Sequence, residues 1–171
     1  MTQHPLSAVV IGNESLLVQC AEIWQARGHS LAAVVTRSPE ITQWAKDKAI
    51  QVLSSDADLD ADLANIEFDW LLSIANLDVI SDAVLALPKL GAVNFHDGPL
   101  PRYAGLNAPV WARMAQEPEH GITWHLMQSG VDQGDILIQS GFDISDADTA
   151  LTLNTKCYSA AINSFPDLVT N

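Results

Sequence analysis

Three side chains suited to acyl transfer sit in two short stretches of the chain. Asn94 and His96 close an apolar run, Ala92 to Phe95, and Asp132 lies in the turn Gly130-Val131-Asp132-Gln133-Gly134-Asp135. Residues two apart on a strand share a face, so Asn94 and His96 point the same way while Phe95 points into the sheet. Acyl transfer to an amine needs a donor for the oxyanion of the tetrahedral intermediate and an acceptor for the amine's proton. The donor must also be tuned, commonly by a carboxylate that favours protonated imidazole. Asn, His and Asp meet those needs without a metal or a covalent nucleophile. No serine sits in a Gly-x-Ser-x-Gly elbow, and neither cysteine lies near a plausible base in sequence.

The residues alone leave other readings open. His96 could be a structural strand-end histidine and Asp132 a plain turn residue. His96, Asp97 and His125 could hold a metal, although no close-spaced ligand pair on a helix supports that. The acidic stretch 54–65, with Asp56, Asp58, Asp60 and Asp62, lacks the central glycine of a calcium loop and reads as a solvated loop with a weak helix. Gly12 stands alone after the first strand, short of the three glycines of a dinucleotide fingerprint. His4, His29 and His120 read as exposed loop residues.

The elements that must position these groups follow from periodicity. Apolar runs at 7–11, 30–36, 51–53, 68–75 and 92–95 read as buried parallel strands. Between them, helical spacing appears at 15–27, at 39 onward behind the cap Ser38 and Pro39, and at 81–87, closed by Pro88. After a loop rich in proline, a helix is expected over 108–116, carrying Val110, Trp111 and Met114. Residues 121–128 alternate, with Ile122, Trp124 and Leu126 on one face and Thr123, His125 and Met127 on the other. A strand over 136–144 and a helix over 149–165 complete the chain. Strands alternating with helices predict an α/β fold with a mostly parallel sheet, and the short turn before the last strand makes that final pair antiparallel.

Bulk composition narrows the function. The 171 residues are 48% apolar and 17% charged, which is globular and large enough for one domain. A formal net charge of −13 repels phosphate backbones and anionic lipid, so no nucleic-acid or membrane partner is expected. Cys20 and Cys157 read as buried reduced thiols. No apolar run approaches the roughly 20 residues of a membrane span, and residues 1–5 lack a signal-peptide pattern, so a cytoplasmic location is expected.

The segment Asn94-Phe95-His96-Asp97-Gly98-Pro99-Leu100-Pro101-Arg102-Tyr103-Ala104-Gly105 resembles the signature loop of the folate-dependent formyltransferases, in which an Asn-x-His strand end runs into a Leu-Pro-x-Tyr-x-Gly loop. Gly121-Ile122-Thr123-Trp124-His125 and Val131-Asp132-Gln133-Gly134-Asp135-Ile136-Leu137 resemble that family's second block, whose Asp completes the catalytic trio. The resemblance implies an open, mostly parallel twisted sheet of about seven strands with helices on both faces. It implies one catalytic domain over 1–171, with a Rossmann-like half at 1–90 and a catalytic half at 91–171. It places the catalytic roles on Asn94, His96 and Asp132. The implied co-substrate is 10-formyltetrahydrofolate, with no metal. Its pterin is expected between the loop at 74–80 (Ile74, Asn76, Leu77, Asp78, Ile80) and the loop at 129–135 (Gly130, Val131, Gly134), held largely by backbone groups.

Two positions depart from the family pattern. Asp78 stands where some relatives carry a basic residue, and Gly98 where the family usually has Ser. The wording Tyr103-Ala104-Gly105-Leu106-Asn107-Ala108 is closest to formyltransferase domains that open nonribosomal peptide synthetases. That implies an aminoacyl group on a carrier protein as acceptor, and neighbouring synthetase domains as partners. A chain stopping after its last helix fits such a module as well as a whole protein. The methionyl-tRNA enzymes of the family carry a basic tRNA-binding domain that this acidic chain does not show. A sugar-nucleotide N-formyltransferase, a formyltetrahydrofolate hydrolase and a non-catalytic docking module are the alternatives.

Overall fold

The computed structural model describes residues 4–56 and 58–170. Residues 1–3, part of the stretch without a signal-peptide pattern, Ala57 in the acidic stretch and Asn171 lie outside them. The chain forms two compact units, Met1–Val93 and Asn94–Asn171. The first contains β1 (Ser7–Ile11), α1 (Ser15–Ala26), β2 (Ser30–Val35), α2 (Pro39–Asp47), β3 (Val52–Leu53), α3 (Leu59–Leu63), β4 (Trp70–Ser73) and α4 (Asp82–Leu85). Strand β5 (Gly91–His96) ends the first unit and begins the second, followed by α5 (Ala108–Met114), β6 (Glu119–Leu126), β7 (Ile136–Asp143) and α6 (Ala150–Thr170). Among the described residues, seven strands make one sheet in the order β3-β2-β1-β4-β5-β6-β7.

In the first unit, β1 pairs parallel with β2 on one side and β4 on the other. A strand flanked twice and covered on both faces must be apolar throughout, and Ala8, Val9 and Val10 are fully buried. Gly12 follows because nothing larger fits: a Cβ there would lie 2.0 Å from the Ile74 carbonyl oxygen. Leu16, Leu17, Cys20, Ala21 and Trp24 form the buried stripe of α1, as their spacing predicts. Burial pushes the Cys20 thiol up to about 12. Ser38 caps α2 by accepting the Ile41 N–H at 3.3 Å. The acidic stretch is used locally: Asp58 caps α3, Asp60 accepts from Ser81 Oγ at 2.8 Å, and Asp56 pairs with Arg37.

In the second unit, β6 and β7 are antiparallel, with a register shift between Trp124 and His125. The alternation along β6 sorts two buried faces rather than inside from outside, since His120 to His125 are all buried. Trp124 stacks with Phe95 and Phe165, each at 5.3 Å, and donates Nε1–H to Ser164 Oγ. Thr123 and His125 face the other way.

Three expectations are corrected. Helix α5 ends at Met114 rather than at residue 116; Val110, Trp111 and Met114 lie on its exposed side, and Ala108, Pro109 and Ala112 are buried. Small residues let that short helix lie close over its neighbours. Helix α6 runs beyond residue 165 to Thr170 through Pro166. Proline's fixed φ is helical, so the cost is chiefly one missing backbone bond and some crowding. His29 and His120 are buried, not exposed. His29 accepts the Leu6 N–H and packs 4.5 Å from the Trp24 ring, and His120 lies within β6. Among the described residues no helix is long and apolar enough to cross a membrane.

Candidate active site

Asn94, His96 and Asp132 are brought together in the second unit, two from the end of β5 and one from the turn after β6. His96 Nδ1 lies 3.5 Å from Asp132 Oδ2, and its Nε2–H donates to the Tyr103 carbonyl at 2.7 Å. Carboxylate and carbonyl both only accept, so the ring has a donor for each when both nitrogens carry a proton. Asp132 Oδ2 also accepts the Gly105 N–H at 2.6 Å. Tyr103 and Asp132 both sit in the left-handed region, at φ 60° and 51°. Such backbone is costly for residues other than glycine and persists where surrounding bonds impose it.

Asn94 donates through Nδ2 to His125 Nε2 at 3.2 Å, and His125 Nδ1 donates to the Leu126 carbonyl at 2.9 Å. His96 and His125 are buried, and Asn94 is half-buried. Beside them, burial raises the Asp97 carboxyl above its ordinary range, with the nearby His96 working against that shift. His120 donates Nε2–H to the Asp97 carbonyl at 2.8 Å while its Nδ1 is buried without a partner. Burial accordingly pushes this imidazole below its ordinary range.

The loop bearing these contacts is fixed along its backbone. Thr123 Oγ1 donates to the Gly98 carbonyl at 2.8 Å and accepts the Leu100 N–H at 3.1 Å. Gln139 donates to the Leu100 carbonyl at 2.6 Å and also to Thr123 Oγ1. Tyr103 donates its hydroxyl to Glu117 at 2.6 Å, and Arg102 pairs with the same carboxylate. The Leu100–Pro101 peptide is cis. Gly98 is explained by space: a Cβ there would lie 2.9 Å from His96 Nε2 and 3.2 Å from the Tyr103 carbonyl oxygen.

The residues expected at a pterin fall in two loops. Gly130 and Gly134 have φ of 117° and 118°, and a Cβ on Gly134 would lie 2.0 Å from the Leu126 carbonyl oxygen. Val131 is exposed. In the first unit, Ile74 is buried and its N–H bonds to the Ile11 carbonyl at 2.9 Å. Asn76 exchanges two bonds with the Asp78 backbone, Leu77 is exposed and Ile80 half-buried. Asp78 pairs with Arg37 at 2.8 Å. Among the described residues, no group of three His, Cys, Asp or Glu has the arrangement of a metal site.

Sequence reasoning missed several groups that hold the site. Thr123 and His125 entered by their shared strand face and by the second block, His125 also as a rival metal ligand, but neither with a role in holding the site, and Gln139, Glu117 and Arg37 did not enter. The alternation along 121–128 carried part of the signal, since it put Thr123 and His125 on one face.

Residues 8–169 match the family described as formyl transferase. Over 159 residues the chain is 30% identical to a methionyl-tRNA formyltransferase of Anaeromyxobacter dehalogenans, covering 84% of this chain and 51% of that protein. The chain thus spans about half the length of such curated relatives. Over 90 residues it is 36% identical to a GDP-perosamine N-formyltransferase of Brucella melitensis, covering 53% of this chain and 35% of that one. Its fold is similar to glycinamide ribonucleotide transformylase 1 from Symbiobacterium toebii, with a TM-score of 0.87 at 19% identity, over 98% of this chain and 87% of that chain.

Proposed function

The chain belongs to the formyl transferase family, and from that premise we propose that it moves a formyl group from 10-formyltetrahydrofolate to an amine. The observation that carries this reading is the meeting of Asn94, His96 and Asp132, with an imidazole nitrogen 3.5 Å from a carboxylate oxygen. The acceptor amine attacks the formyl carbon. The Asn94 amide and the His96 imidazolium donate to the oxyanion that forms. Asp132 orients His96, balances its charge and passes on the amine's proton through water. When the tetrahedral intermediate collapses, the carbon–nitrogen bond to the folate breaks, the folate nitrogen takes up the proton relayed from the amine, and tetrahydrofolate leaves. As the loop lies, the His96 Nε2–H donates a hydrogen bond to the Tyr103 carbonyl, so the oxyanion must compete for that donor. The loops at 74–80 and 129–135 are the proposed pterin contacts, and no metal takes part.

The proposed acceptor is an aminoacyl group tethered to a carrier protein. The Tyr103 to Ala108 wording supports it, and the net charge of −13 is unsuited to a polyanionic acceptor such as tRNA. A second reading, an amino sugar on a nucleotide, is favoured by the 36% identity to the GDP-perosamine enzyme. Mass spectrometry after incubation with formyl donor and each acceptor separates them, since only the true acceptor gains a formyl group. Formate released without any amine would make the chain a hydrolase. Failure to bind a folate analogue in calorimetry would overturn the enzyme reading.

A further inference from the structure

We infer that His125 is a positioning residue that decides which end of the Asn94 side-chain amide faces the reacting group. The inference rests on the role proposed for Asn94. The two ends of an Asn amide have nearly the same shape, so only hydrogen-bond partners distinguish them. His125 supplies an unambiguous one. Its Nδ1 lies 2.9 Å from the Leu126 carbonyl, which can only accept, so Nδ1 carries a proton. In the neutral ring Nε2 then has a lone pair and no proton. That lone pair lies 3.2 Å from Asn94 Nδ2 and takes one of its hydrogens.

The other neighbour of Nε2 is Asp132 Oδ1, at 3.8 Å. That is beyond hydrogen-bond distance, and Asp132 is already engaged by His96 Nδ1 and the Gly105 N–H. His125 therefore acts on Asn94 rather than as a second partner of the carboxylate. It is 2% exposed and sits next to the register shift in β6, so its ring is held in place. With one hydrogen tied to His125, the second hydrogen of Nδ2 is held in a fixed direction as the oxyanion donor. A freely turning amide would present oxygen part of the time, and an oxygen repels an oxyanion.

Two measurements test this. Nitrogen-15 NMR of the His125 ring in the whole chain is expected to show Nδ1 protonated and Nε2 bare, and the Asn94 amide signals are expected to move in His125→Gln. A ring protonated on Nε2 alone overturns the inference, whatever the activity. The second is a double-mutant cycle with 10-formyltetrahydrofolate and hydroxylamine as the probe amine. His125→Ala is expected to lower kcat roughly tenfold to a hundredfold with the folate KM unchanged. In an Asn94→Ala background it should cost less than about twofold more, because it acts through Asn94. His125→Gln keeps an acceptor and should recover most of the loss. Additive losses, or a change confined to KM, overturn it. If Asn94→Ala itself leaves turnover intact, the proposed role of Asn94 fails while the ring measurement still decides the tautomer.

Discussion

The loops that follow β4 and β5 are held in opposite ways. The loop after β5 is tied to other elements of its unit: Thr123 and Gln139 hold residues 98–100, His120 holds the Asp97 carbonyl, and Glu117 and Asp132 hold Tyr103 and Gly105. Thr123 spends its one donor and two acceptor sites on this task. The loop after β4 is anchored at its start by the Ile74 N–H bond to the Ile11 carbonyl and beyond that is tied mainly to itself, through Asn76 and the Asp78 backbone, with an ion pair to Arg37. Its Leu77 and Val79 are 76% and 85% exposed. Bond-making chemistry needs donors fixed before the reaction, whereas a surface that closes on a ligand gains from freedom to adapt. The contrast matches the proposed division of labour, chemistry after β5 and donor binding after β4.

The sharpest way to break the comparison is at the trio. Asn94→Ala or His96→Ala should lower kcat by roughly 10²–10³, about 3–4 kcal/mol, with the fold retained in circular dichroism. Near-full turnover in both would sink the assignment of chemistry to this loop. Next is the pin itself. Thr123→Val keeps the shape but removes the hydroxyl's bonds to Leu100, Gly98 and Gln139, leaving the Leu100 N–H only its bond to the Gly98 carbonyl, which should cost about 1–2 kcal/mol in urea denaturation. A loss under about 0.5 kcal/mol would mean the loop is not pinned as described.

Gly98→Ser introduces the residue usual in the family into space taken by His96 and Tyr103. Overpacking should cost about 1–2 kcal/mol and weaken the His96–Tyr103 bond. An unchanged melting temperature would show that the loop yields easily.

A pinned carboxylate elsewhere in the second unit adds a pH dependence. The hydrogen bond from Lys156, followed by one from the Ser145 N–H, holds Asp148 well below the usual carboxylate range. A group depressed in the folded state contributes stability above its unfolded value, near 4, and that contribution is lost as pH falls toward the folded one. Stability should therefore decline on acidification below about pH 4, and less steeply in Asp148→Asn. Equal slopes in the two proteins would contradict this.

The smallest effect is expected after β4. Leu77→Ser should change stability by less than about 0.5 kcal/mol while raising the folate KM, measured by initial rates. A large stability loss would erase the contrast between the loops.

Much of the scaffold was legible in the sequence. Mostly apolar runs marked β1 and β4, the α1 stripe followed its spacing, and Ser38 with Pro39 announced α2. The antiparallel final pair followed from a turn too short for a crossover. The shared face of Asn94 and His96 was legible for the same reason, because strand period is a property of consecutive residues. Less legible was which apolar residues of α5 would be buried, since Ala112 and Trp111 differ only in what packs against them.

The sequence by itself determined the element order, the sheet's mostly parallel character and a pair of polar side chains at the end of β5. Tertiary structure decided the rest. It placed Asp132 within reach of His96 and turned the Tyr103 carbonyl onto that ring. It also buried His120 and set His125 against Asn94. These depend on partners between 7 and 36 residues apart in the chain. Periodicity and caps act over one or two turns of chain, so they encode elements. A hydrogen bond between elements exists only once packing has brought its two ends together.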